Sequence, residues 1–178
     1  MILTSFSDPV DLFRAFDPRW AAEPLSGAGA SRAGGRFNRR GQPALYLALE
    51  LLTAVREYQQ ASPFLPPLTL VTYRAHLPPL VDLTRLTEGD WDPLWQDWEC
   101  DWRHLLINER TEPPSWVLGD LVRECGCPGI LFPSQANVGG TNLVLFMGLI
   151  PAREILQVLD PDRRLPTDGS SWAHKSSD

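Results

Sequence analysis

Apolar residues fall into short runs separated by Pro- and Gly-rich stretches, and the period of the runs changes along the chain. DLFRAF (11–16) is apolar with one arginine and predicts a strand. Residues 17–43 show no periodicity and predict a loop, and a loop this long inside a compact domain is usually functional or disordered. ALYLAL (44–49) is unbroken and predicts a buried strand, followed by ELLTAVREYQQA (50–61). That segment carries good helix formers with apolar residues at 51, 52, 55 and 58, so it predicts an amphipathic helix with this stripe inward. LTLVTYRAHL (68–77) alternates and predicts a strand, with LVDLT a short further one. Tryptophans at 91, 95, 98 and 102 are spaced to share one face of a helix over 91–109, fit for core or for a homodimer interface. TEPPSWVLGDLVRECG predicts a second helix, with prolines at its start and Gly126 as its stop. GILFPS (129–134), NLVLFMG (142–148) and REILQVLD (153–160) predict strands, and residues 161–178 a loose tail. Strands and helices mix without regular alternation and without an internal repeat, which predicts a single α+β domain over residues 1–160.

Composition narrows the class. A hydrophobic share of 43% in 178 residues is enough for a substantial core. The net charge of -6 argues against a general nucleic-acid face. Cys125 and Cys127 lie too close for an ordinary disulfide, and no histidine neighbours them, so neither a bridge nor a zinc site is expected. Reduced thiols in a cytoplasmic protein fit better. The N-terminus lacks the basic start and apolar run of a signal peptide. No apolar stretch reaches the roughly 18 residues of a membrane helix.

The candidate chemistry lies in AGGRFNRRGQPALYLALELLTAVREY (33–58). It is not a Walker A loop, because no Lys-Ser/Thr pair follows the glycines. Nor is it a dinucleotide fingerprint: Arg32 stands where the third glycine belongs, and a strand follows instead of a helix. Gly34 and Gly35 allow backbone close to a ligand, and Arg36 offers a planar fork for a pyrophosphate, with Arg32 in reach to assist. Tyr46 can face a flat heterocycle. Glu57, on the inward side of the predicted helix, is a carboxylate that needs a partner. Ser134 ends a predicted strand, a position where site residues often sit. Cleavage of the nicotinamide–ribose bond of NAD joins these parts. The leaving group departs as a neutral ring, and a fixed carboxylate stabilises the oxocarbenium-like ribose. Arg32, Arg36, Arg39 and Arg40 are expected to form a basic mouth. A Ser–His hydrolase on Ser134 is disfavoured for want of a nucleophile elbow.

Gly34-Gly35-Arg36-Phe37-Asn38, Gly41, Tyr46 and Glu57, with Ser134 in FPSQ, resemble the RES-domain family, named for its Arg, Glu and Ser. LFRAFDPRWAAEPLSGAGA, with Arg14, is similar to the family's opening, and the likeness runs from about residue 10 to 160. NVGGTNLVLF departs from the Asn-Pro…His segment of many members. The resemblance implies an ADP-ribosyltransferase-like fold, a mixed sheet core with flanking helices. It implies an NAD-consuming toxin of a toxin–antitoxin pair, with NAD as substrate. Arg36 then holds the pyrophosphate with Gly35 and Arg32, Tyr46 stacks on the nicotinamide side, Glu57 supports the ribosyl cation and Ser134 positions substrate. The ADP-ribose acceptor stays open among a host protein, slightly favoured, water and phosphate. The implied partner is a cognate antitoxin carrying a helix-turn-helix. Readings from other classes are a nucleotide-binding regulator without catalysis and a scaffold that uses the tryptophan face.

Overall fold

Side-chain alternation in two central strands sets the architecture. In β3 (Ala44–Ala48), Leu45 and Leu47 join one buried cluster while Ala44 and Tyr46 meet another. In β7 (Thr141–Phe146), Leu143 and Leu145 join the first cluster and Val144 and Phe146 the second. Successive residues of a strand point to opposite faces, so both faces of this sheet are covered, and the strands read as unbroken apolar runs.

The computed structural model describes residues 1–60 and 62–170. The other strands are β1 (Leu3–Thr4), β2 (Val10–Phe16), β4 (Thr69–Ala75), β5 (Leu80–Asp82), β6 (Gly129–Pro133) and β8 (Leu156–Val158). They form one sheet in the order β1-β5-β6-β7-β3-β2-β4-β8, antiparallel throughout except for the parallel pair β5–β6. The helices are α1 (Ala28–Ala33), α2 (Leu51–Gln59), α3 (Trp102–His104), α4 (Pro114–Glu124) and α5 (Ala152–Ile155). The α+β expectation holds.

Four local expectations change. The stretch 17–43 is not all loop: a short turn of helix spans Pro18–Trp20, and α1 follows. A Cβ on Gly27 would lie 2.9 Å from the Ala44 nitrogen, so the start of α1 rests on the β3 backbone, an approach that glycine permits and a residue with a Cβ does not. Helix α2 forms, but Leu51 and Leu52 are about half exposed while Thr53 and Ala54 are buried. Polar bonds set that rotation. The Thr141 amide donates to Glu50 Oε2 at 2.9 Å, and Asn137 Nδ2 donates to Thr53 Oγ1 at 2.9 Å. REILQVLD divides into α5, started by Pro151, and β8.

The tryptophan segment does not run as one helix. Asp92 caps a 3₁₀ stretch, Pro93–Glu99, which breaks at Cys100 in extended conformation. Helix α3 then runs into a wide π-type turn, Leu105–Glu109. The predicted burial survives the change of helix type: Trp95, Trp98 and Trp102 are buried and Trp91 is half-buried. The broken geometry leaves the Trp98 and Cys100 carbonyls free to accept from a side chain elsewhere. Among the described residues of the C-terminal stretch, Asp160 accepts from the Arg164 and Leu165 amides, and Leu165 packs on the first cluster. Residues 171–178 of the expected loose tail lie outside the described residues.

Helix α4 closes the second cluster by lying on the Gly35–Asn38 turn. A Cβ on Gly119 would fall 1.9 Å from the Phe37 carbonyl oxygen. Gly119→Ala is therefore expected to lower stability by about 1–3 kcal/mol through overpacking, measured by urea unfolding. Gly29→Ala, where nothing lies within 4 Å of the new Cβ, is expected to leave stability unchanged or raised by about 0.5–1 kcal/mol.

Candidate active site

The glycine pair serves two different needs. Gly34 adopts φ +79°, which favours glycine, and Gly35 has no room for a side chain. A Cβ at Gly35 would lie 2.5 Å from both the Tyr46 hydroxyl and Asn38 Oδ1. The Gly35 amide donates to the Asn38 carbonyl at 3.0 Å, closing a four-residue turn with Arg36 and Phe37 at its tip. Phe37 is fully buried and packs edge-on to Phe132. Arg36 takes the other direction, into a groove.

Tyr46 fixes this turn. Its hydroxyl accepts from the Phe37 amide at 2.9 Å and donates to Asn38 Oδ1 at 2.8 Å. Asn38 Nδ2 in turn donates to the carbonyls of Ala30, Arg39 and Gln42, tying the turn to α1. Burial raises the Tyr46 pKa well above the ordinary phenol value, and the bond from Phe37 only partly offsets this. The hydroxyl is thus engaged by the protein, which leaves the ring as the part available to a ligand.

Arg36 Nη1 donates to the Trp98 carbonyl at 2.8 Å and the Cys100 carbonyl at 2.9 Å, and Nη2 donates to Gln135 Oε1. The guanidinium also lies 5.7 Å from the Trp98 ring centroid. Burial lowers its pKa, and Cys100, Tyr46 and Glu57 work against that shift. A guanidinium has five N–H groups, so Nε–H and one Nη2–H remain without a partner among the described residues. These free donors are available to an oxyanion.

Glu57 lies across the groove. Its Oε1 accepts from Ser134 Oγ at 2.7 Å and Asn142 Nδ2 at 2.5 Å. Ser134 Oγ also accepts from the Ala136 and Asn137 amides, so the hydroxyl is oriented from both sides. Oε2 takes no hydrogen bond from the described residues. The carboxylate is held by one oxygen, with the other left for what enters the groove.

The groove has a volume of about 620 Å³ and contains Gly35, Arg36, Tyr46 and Glu57 in its lining. Ser134 reaches it through Glu57. Arg32 does not join it: its side chain is exposed, over the Trp20 ring at 5.6 Å. The expected basic mouth is not formed. Arg39 pairs with Asp120 at 2.6 Å and Glu112 at 2.7 Å, which raises its pKa, and Arg40 is exposed beside the Ala33 carbonyl. The groove takes its positive charge from Arg14, Arg36 and Arg103 instead. Asp17 also lines it but is paired with Arg19. Among the described residues no group of His, Cys, Asp and Glu is placed to hold a metal, and no helix is long and apolar enough to cross a membrane.

Sequence reasoning assigned no role to Asn142, Gln135 or Arg103, and noted Arg14 only through the family's opening. Two of these carry a readable signal. Asn142 is a polar residue in an apolar strand, and Arg14 interrupts a strand whose inward neighbours are Leu12 and Phe16. Gln135 and Arg103 sit in irregular segments and carry none.

A guanidinium on the Gly35–Asn38 turn and a tethered carboxylate on α2 thus face one groove. The RES domain model matches residues 11–168, and the chain belongs to that family. Among solved structures the fold is similar to the crystal structure of the M. tuberculosis MbcT–MbcA toxin–antitoxin complex, with TM-score 0.61 and 19% identity over 89% of this chain and 84% of that one. No curated protein matches the chain.

Beside the groove, Arg14 and Tyr73 share one acceptor: Arg14 Nη1 and the Tyr73 hydroxyl both donate to the Pro24 carbonyl, at 3.0 and 2.7 Å. Burial pushes Tyr73 up to about 12, the Arg14 charge opposing it. An unfolded tyrosine ionises near pH 10, so between about pH 10 and about pH 12 the folded chain keeps a proton that the unfolded chain has lost. Stability is expected to be fully present below about pH 10 and to fall through that window. Melting temperatures at about pH 9 and about pH 11 should differ more in the wild type than in Tyr73→Phe.

Proposed function

We propose that this RES-domain protein is the NAD-consuming toxin of a toxin–antitoxin pair, cleaving the bond between nicotinamide and ribose and transferring ADP-ribose. The observation that carries this reading is the Glu57 carboxylate, tethered through one oxygen to Ser134 and Asn142 and facing a groove that also holds Arg36. A carboxylate fixed before the reaction stabilises developing positive charge without reorganising at the moment of reaction. In this reading the free donors of Arg36 take the diphosphate, and the Tyr46 ring borders the nicotinamide. Glu57 faces the ribose, and Ser134 holds Glu57 in place.

The C–N glycosidic bond breaks with its electron pair leaving on the nicotinamide nitrogen, so the departing ring is neutral and needs no proton. The oxocarbenium-like ribose is captured by a nucleophile that loses its proton. We favour a side chain of a host protein as that nucleophile; water and phosphate are the alternatives. A free NAD-cleaving site would harm the cell that makes it, so the protein is assigned a cognate antitoxin, with any DNA-binding helix-turn-helix on that partner. The acidic chain supports this division, and the similar structure is that of a toxin–antitoxin complex.

Glu57→Gln keeps the shape of the side chain and removes its charge. Nicotinamide release by the purified variant is expected to fall on the order of 10²–10³-fold with the fold retained by circular dichroism. Near-wild-type release from a folded Glu57→Gln protein would remove the basis for the assignment. Expression of the chain alone should arrest growth, and co-expression of the neighbouring open reading frame should restore it.

A further inference from the structure

The groove contains one cation that the RES motif does not account for. Arg103 follows Trp102 in α3, and its guanidinium lies 4.6 Å from the Trp102 ring centroid. It lines the same groove as Arg36 and Glu57. Its side chain is exposed and forms no ion pair or hydrogen bond with any described residue. The other groove arginines are engaged. Arg14 Nη1 donates to the Pro24 and Ser26 carbonyls, and Arg36 has three of its N–H groups bonded to protein. Arg103 and Arg36 line the same groove, and no carboxylate is hydrogen-bonded to either guanidinium. Two like charges facing one groove repel unless an anion joins them.

We propose that Arg103 is a specificity-determining residue that, together with Arg36, clamps a diphosphate, Arg36 taking one phosphate and Arg103 the other. This rests on the reading of the groove as a dinucleotide site. The Trp102 face positions the guanidinium by stacking, as planar arginine does on aromatic rings. Arg36 ties the tryptophan segment to the glycine turn through the Trp98 and Cys100 carbonyls, so Arg103 and Arg36 are held on one connected frame. The clamp selects ligands with two linked phosphates over those with one.

The test uses calorimetry with ADP-ribose and with adenosine monophosphate as probes, and steady-state nicotinamide release from NAD. For Arg103→Gln, ADP-ribose affinity is expected to fall on the order of tenfold to a hundredfold, the scale of a lost charged hydrogen bond. The weaker affinity for adenosine monophosphate should change by less than about threefold. KM for NAD should rise with little change in kcat, because a contact remote from the broken bond is made equally in ground and transition states. Arg103→Lys should recover part of the loss, which a merely structural role would not produce. If the wild type releases nicotinamide and Arg103→Gln has wild-type KM and ADP-ribose affinity, the clamp is wrong and the NAD reading stands. If the wild type neither binds ADP-ribose nor releases nicotinamide, the NAD reading itself fails and the clamp with it.

Discussion

The Tyr46 hydroxyl, bonded at once to the Phe37 amide and to Asn38 Oδ1, holds the turn on which the groove is built. A turn of four residues has two tip positions, and here one side chain must go to each side. Phe37 enters the core under α4, whose Gly119 leaves room for the turn's backbone. Arg36 is thereby sent the other way. Gly35 is the point where this arrangement tolerates no side chain, because Tyr46 and Asn38 occupy the space a Cβ would need. From Arg36 the constraint passes outward to the tryptophan segment, whose broken helix presents the Trp98 and Cys100 carbonyls to the guanidinium. The turn, the strand beneath it and the segment above it are thus joined through single side chains.

A second set of polar contacts fixes the opposite wall. Glu50, Thr53 and Glu57 lie on one side of α2, and each bonds to the 134–142 region: Glu50 to the Thr141 amide, Thr53 to Asn137, and Glu57 to Ser134 and Asn142. The buried face of α2 near the groove is therefore polar, and its leucines 51 and 52 turn outward. An amphipathic reading assumes that helices bury apolar residues, and here hydrogen bonds to a neighbouring loop outweigh that preference.

That competition explains what was legible in the sequence. The strands from β2 to β7 announce themselves by period and by turn residues: β3, β6 and β7 are buried along nearly their whole length and read as apolar runs, while β4 alternates. Arg36, Tyr46, Glu57 and Ser134 could be picked out because each is a polar or bulky group where the local pattern has no other use for it, and the structure brings all four to one region. The rotation of α2, the break at Cys100 and the fate of Arg39 could not be read, because each depends on a partner far away in sequence: Thr141 for Glu50, Arg36 for Cys100, Glu112 and Asp120 for Arg39. A cluster of arginines in the sequence looked like one basic mouth, and pairing with acids dispersed it. Arg103 is illegible for the converse reason, since a lone arginine in a tryptophan-rich segment carries no sign that folding will bring it to the same groove as Arg36.

The chemistry assigned to the groove needs a cationic end and an anionic end at fixed separation, within a chain that is acidic as a whole. In the proposed reading Arg36, with Arg103, serves as the first and the tethered Glu57 as the second. The most direct measurement follows NAD labelled separately in its nicotinamide and adenine halves during incubation with the purified chain and a cell lysate. The account predicts free labelled nicotinamide in step with loss of NAD, and adenine label on a protein band. Adenine label in free or phosphorylated ADP-ribose would keep the cleavage and change the acceptor. Both labels remaining together in intact NAD, with the chain folded, would contradict it.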